Sequence, residues 1–119
     1  GTYLGWNVVA GGFFAGQICG FQGGYVPFAK TRAEREQTGD PRLSLEERYG
    51  TQEGYVCAVE TAVEAAVRDR FLIEDDAARL LEEARASSVL PTAAESSAAN
   101  RLRAEALCGR VSAQSGGTR

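Results

Sequence analysis

The sequence predicts a mainly α fold: capped short helices and then an αα-hairpin, entered through a glycine- and aromatic-rich segment of loops or short strands. Three observations predict it. Residues 1–29 carry no charged side chain and hold eight of the fourteen glycines, so that stretch has the punctuation of turns and not the periodicity of a helix. From Lys30 onward, Thr31 and Ser44 each stand three residues before a glutamate, the spacing of a helix-starting capping box. Apolar residues then recur at three- and four-residue intervals from Tyr55 to Val67, which places them on one helical face.

Within residues 1–29, Gly11-Gly12 and Gly23-Gly24 mark turns. The apolar runs Val8-Val9-Ala10 and Ile18-Cys19-Gly20-Phe21 between them read as short strands. Gly12, Gly16 and Gly20 repeat at the spacing of a membrane-helix packing face. Asn7, Gln17, Gln22 and Pro27 dilute the hydrophobicity, however, and no basic cluster precedes the stretch, so a membrane role is not expected. A signal peptide fails for want of a charged leading region. The segment is expected to lay its backbone against a partner or the core of a parent chain, where glycine permits close approach.

Residues 30–90 form the helical segment. Thr31 and Glu34 start a short helix that stops at Gly39, and Asp40-Pro41 continues the turn. Ser44 and Glu47 start a second, ending near Gly50. Thr51 caps a longer helix over 52–70, with Tyr55, Val59, Ala62, Val63, Ala66 and Val67 on its buried stripe. Glu60, Glu64 and Arg68 share another face. Phe71-Leu72-Ile73 is an apolar hinge. Glu74, Asp75 and Asp76 open the next helix, where the dipole favours acids. Leu80, Leu81 and Ala84 face its buried side, and Val89-Leu90-Pro91 ends it. The short connection makes the two helices an antiparallel hairpin. With Phe71, Leu72 and Ile73 also counted as core, the hairpin still buries too little to offset the ordering of its own chain. It needs another surface, either the glycine-aromatic segment or a larger domain. Residues 91–119 are an Ala/Ser/Arg-rich tail, a weak helix over 95–107 and then disorder after Gly109.

The composition excludes several chemistries. There is no histidine, so a Ser-His-Asp or Cys-His site has no base within this chain. Zinc is not expected without histidine or a C-x-x-C pair. The glycines make neither a nucleophile elbow nor a phosphate-cradling loop. Glu46-Glu47, Asp75-Asp76 and Glu82-Glu83 are adjacent pairs, which diverge on a helix and build no shared carboxylate site. A net charge of −3 argues against a nucleic-acid partner. Cys19, Cys57 and Cys108 are odd in number and widely spaced, which is not a disulfide framework, and read as three reduced, partly buried thiols, which mildly favours a reducing compartment. Trp6 and Asn7, with Tyr3 nearby, are the residues best suited to line a pocket, though a packing anchor is the commoner role. No catalytic, cofactor or metal position is assigned.

Several stretches resemble the C-terminal region of a family of large "α/β hydrolase domain" proteins. They are Thr2-Tyr3-Leu4-Gly5-Trp6-Asn7, Gly24-Tyr25-Val26-Pro27-Phe28 and Thr31-Arg32-Ala33-Glu34-Arg35. The most specific is Gly39-Asp40-Pro41-Arg42-Leu43-Ser44-Leu45-Glu46-Glu47-Arg48-Tyr49-Gly50, and Phe71-Leu72-Ile73-Glu74-Asp75-Asp76 follows in the expected place. The resemblance covers about residues 2–90. It implies a parent whose α/β-hydrolase core carries nucleophile, acid and histidine upstream and acts on ester-like bonds, and it transfers no catalytic residue to this chain. The sequence has no methionine and begins at Gly1, which adds to the expectation of a C-terminal piece of a larger protein. Its expected partner is the rest of that parent or another subunit, and its expected role is structural. The competing expectation is a small non-enzymatic interaction or oligomerisation module.

Overall fold

The computed structural model of the chain describes residues 1–4, 11 and 24–115. Trp6, Asn7 and the runs Val8–Ala10 and Ile18–Phe21 lie outside the described residues. The fold is mainly helical, as the sequence predicts. Two three-residue strands, β1 (Thr2–Leu4) and β2 (Gly24–Val26), pair antiparallel with Tyr3 opposite Tyr25.

Each predicted start signal opens a helix. Thr31 caps α1 (Arg32–Thr38) by accepting from Glu34 N, and Gly39 ends it in the left-handed conformation. Glu34 does not close the expected box on Thr31; its carboxylate reaches one residue further back, to Lys30 N at 2.8 Å. Ser44 and Glu47 form the full reciprocal box of α2 (Leu45–Tyr49). Thr51 caps α3 (Gln52–Arg68) through Gly54 N, and α4 spans Glu74–Ala86.

Both long helices end earlier than the sequence predicts. In α3, Phe71 N donates to Ala66 O and Arg70 N to Val67 O, the two bonds of a Schellman motif. That motif needs a left-handed residue, and Arg70 supplies it with φ 62°. The signal was hidden because glycine usually occupies this position. In α4, Ser87 and Ser88 follow the last turn in place of further helix, because Gln52 captures the chain there. Its Oε1 accepts from Val89 N and Leu90 N, while its Nε2 donates to Ala84 O and Ser87 Oγ. The start of α3 is thus fastened to the end of α4, and the hairpin is antiparallel.

The surface that the hairpin lacked is supplied by the tail. After a 3₁₀ turn at Ala93–Glu95, α5 runs over Ala98–Ser115, continuing past Gly109 where disorder is expected from the sequence. It lies parallel to α3 at very close range. A Cβ built on Gly54 would stand 2.8 Å from Ala104 Cβ, and one on Gly50 would stand 2.1 Å from Asn100 O. An alanine stripe, weak by hydrophobicity alone, holds here because small residues on both helices let the backbones approach. Cys57 and Cys108 then join the two helices covalently. The expectation of three reduced thiols is therefore wrong: residues 51 apart in sequence become neighbours only when α5 docks, and sequence spacing does not reveal that.

The core differs from the predicted one. Among the described residues its buried side chains are mostly small or polar, Ala77, Ala84, Ala104, Ser44 and Thr51, with Leu90 the large apolar exception. Tyr55, Val59, Val63, Ala66 and Val67 are half-buried, and Ala62 is exposed. Phe71, Ile73 and Leu80, expected inside, lie outside at 88%, 65% and 40% exposure.

Candidate functional site

The densest polar assembly is built by residues 39–50, the stretch that carries the most specific part of the resemblance. Its centre is Arg42. The guanidinium forks onto Asp40, with Nη2 2.6 Å from Oδ2 and Nε 2.9 Å from Oδ1. It also donates to Thr2 Oγ1 on β1, to Val26 O on β2 and to Pro27 O. Phe28 lies against two cations, with Arg48 4.2 Å and Arg42 5.0 Å from the ring centroid, within the range of cation–π attraction. Arg42 thus ties the two-stranded ribbon to the helices. Each donor aims at a fixed acceptor, as the rigid fork of arginine allows.

A second knot sits beside it. Glu47 accepts from Ser44 N at 2.9 Å and Ser44 Oγ at 2.8 Å, and it pairs with Arg35 through Nε at 2.8 Å and Nη2 at 3.2 Å. Glu46 accepts from Arg32 N and from Asn100 Nδ2, so one carboxylate links α1, α2 and α5. The side chains of Asp40 and Glu47 are mostly covered, at 16% and 19% exposure.

The electrostatics follow from these contacts. The Arg42 side chain, aided by its backbone N–H, holds the Asp40 carboxyl down at about 2. The Ser44 backbone N–H, with Arg35 and the Ser44 hydroxyl, holds Glu47 at about 2, against the opposing effect of desolvation. Both carboxylates are therefore weak bases near neutral pH. Ser44 is the one hydroxyl paired with a carboxylate at this site, yet it is fully buried and occupied as a helix cap. The arrangement fastens elements together and has no free nucleophile or base.

Two clefts flank the assembly. One, of about 320 Å³, lies between the Val26–Ala29 strand exit and Glu34, Thr38, Asp40 and Arg42. Its polar side chains are already bonded within the fold. The other, of about 150 Å³, lies where Gly50 and Leu90 meet Ser97 and Asn100. Among the described residues no cluster of three or more potential ligands is placed to hold a metal, and no helix is long and apolar enough to cross a membrane.

Of the residues proposed to line a pocket, Tyr3 is 83% exposed and packs against Tyr25, with ring centroids 5.1 Å apart. Trp6 and Asn7 lie outside the described residues. The adjacent acids do diverge: Glu46 and Glu47 serve different partners, and Asp76 pairs with Arg79 while Asp75 is exposed. The residues that sequence reasoning passed over are Arg42 and Gln52. Arg42 has a local signal, an aspartate two residues before it in a proline turn. Gln52 has none, since its partners are more than thirty residues away.

A family model described as "alpha/beta hydrolase domain" matches residues 1–82. The chain belongs to the alpha/beta hydrolase domain family. The match takes in the ribbon, the Arg42 and Glu47 clusters and α3, and it stops inside α4, short of residue 90, the expected limit of the resemblance. No curated protein and no solved structure matches the chain.

Proposed function

We propose that this chain is a non-catalytic C-terminal segment of an α/β-hydrolase-type, esterase-like protein, which packs on or near the catalytic core of that protein. The observation that carries the reading is the exposure of Phe71. In a Schellman motif the residue at this position usually packs back on the helix it follows. Phe71 instead projects, 88% exposed, with Ile73 beside it at 65%. Arg70 accepts a left-handed conformation to turn the chain there. Such strain persists where the surroundings or a function require it.

The opposite end of the helices supports the same reading. Tyr3, Tyr25, Val26 and Leu43 are all exposed there, around a ribbon of two three-residue strands. A two-stranded ribbon is marginal alone and gains from further packing. Family membership supports a hydrolase core as the occupant. The chain has no histidine to complete a triad, and its best-placed serine is sealed, so the chemistry is assigned to that core and the role here is structural.

The test is the double substitution F71D/I73D in the full-length protein. Both side chains are exposed in this segment, so its own fold tolerates the change. The reading expects a lower melting temperature and a loss of activity toward an activated ester. Unchanged stability and activity would show that the Phe71 turn faces solvent in the whole protein.

A further inference from the structure

We infer that the Cys57–Cys108 disulfide is a reducible clamp on the C-terminal half of α5, so that the docking of this helix follows the thiol–disulfide state of its surroundings. The inference stands on the placement of the contacts along α5 and is independent of any hydrolase role. Asn100 donates to Glu46 and Arg103 donates to the Arg48 carbonyl. Ala104, the buried residue of the helix, meets Gly54. All three lie in the first half of α5.

Among the described side chains beyond Ala104, those of residues 105–109, packing is slight. Glu105, Ala106 and Gly109 are exposed, and Leu107 and Cys108 are half-buried. Gly109 also weakens the helix from within, because glycine loses more backbone freedom than any other residue. The covalent bond to Cys57 holds the helix at Cys108. It joins α3, inside the family match, to a helix outside it.

Neither cysteine residue is fully buried, which leaves room for exchange with a small dithiol. One thiolate of the dithiol attacks a cysteine sulfur, breaking the Sγ–Sγ bond and forming a mixed disulfide. The other cysteine leaves as thiolate and takes a proton. The second thiol of the reductant then attacks its own sulfur in the mixed disulfide and releases the remaining cysteine. Two electrons and two protons pass to Cys57 and Cys108, and the dithiol becomes a cyclic disulfide.

Hydrogen–deuterium exchange on the intact protein, before and after dithiothreitol, tests the inference. Reduction should speed exchange over residues 105–115 by about tenfold or more, while residues 45–68 change by less than about twofold. The variant C57S/C108S should show the fast pattern without reductant and no further response to it. Three results would overturn the inference: no change at 105–115, a loss of protection that spreads equally through α2 and α3, or alkylation of both cysteines before any reductant is added.

Discussion

Replacing Gly54 with alanine should destabilise the fold, although the same change in an open helix stabilises. Alanine is favoured over glycine in a helix interior by about 1 kcal/mol. At Gly54 the added methyl would stand 2.1 Å from the Tyr49 carbonyl oxygen, 2.8 Å from Ala104 Cβ and 2.9 Å from Ala104 Cα. Two of those atoms are backbone, so no side-chain rotation relieves the clash. Overpacking of this kind costs about 3 kcal/mol at the upper end of its usual range, which leaves a net loss of about 2 kcal/mol. With an unfolding entropy of about 2.1 cal/mol/K per residue over 119 residues, the melting temperature should fall by roughly 8 °C. Gly109 provides the internal control: nothing lies within 4 Å of a Cβ built there, so Gly109→Ala should raise stability by up to about 1 kcal/mol. Thermal unfolding of the oxidised chain, followed by far-ultraviolet circular dichroism, reads both. If Gly54→Ala stabilises as Gly109→Ala does, α3 and α5 do not approach as described.

Gln52→Ala removes the acceptor of Val89 N and Leu90 N together with a donor to Ala84 O; at about 1–3 kcal/mol for polar groups left unsatisfied, urea unfolding should show a loss of roughly 2 kcal/mol at unchanged m-value. Acid should weaken the fold through Asp40 and Glu47. Both carboxyls titrate at about 2 in the folded chain, below their ordinary 3.8 and 4.5, so the unfolded chain binds protons first. The stability they contribute is complete above the ordinary values and is lost as pH falls from about 4.5 through about 2. Urea midpoints across that window should fall, and should fall less steeply in Glu47→Gln.

What the sequence revealed and what it hid divide along physical lines. Thr31, Ser44 and Thr51 announce their helices because capping is local: donor, acceptor and helix start lie within four residues. The hairpin is legible for the same reason, through periodicity and a short connection. The ends of α3 and α4 were misplaced because each depends on an atypical or distant residue, Arg70 in the place of a glycine and Gln52 reaching across to Leu90. The weak helix expected over 95–107 does form, within Ala98–Ser115, but its docking and the disulfide are hidden together. An alanine stripe carries little hydrophobic signal, and Gly50 at the end of α2 and Gly54 on α3 make it a contact surface. The polar knots were half legible. Glu47 was read as a cap, which it is, but its pairing with Arg35 requires α1 and α2 to meet.

The central claim is that the Phe71 turn and the tyrosine ribbon dock on a hydrolase core. Hydroxyl-radical footprinting tests it most directly, by comparing the labelling of Phe71, Tyr3 and Tyr25 in the full-length protein and in this chain alone. Docking predicts strong labelling of all three in the isolated chain and several-fold protection of Phe71 and Tyr3 in the whole protein. Equal labelling in the two would contradict it.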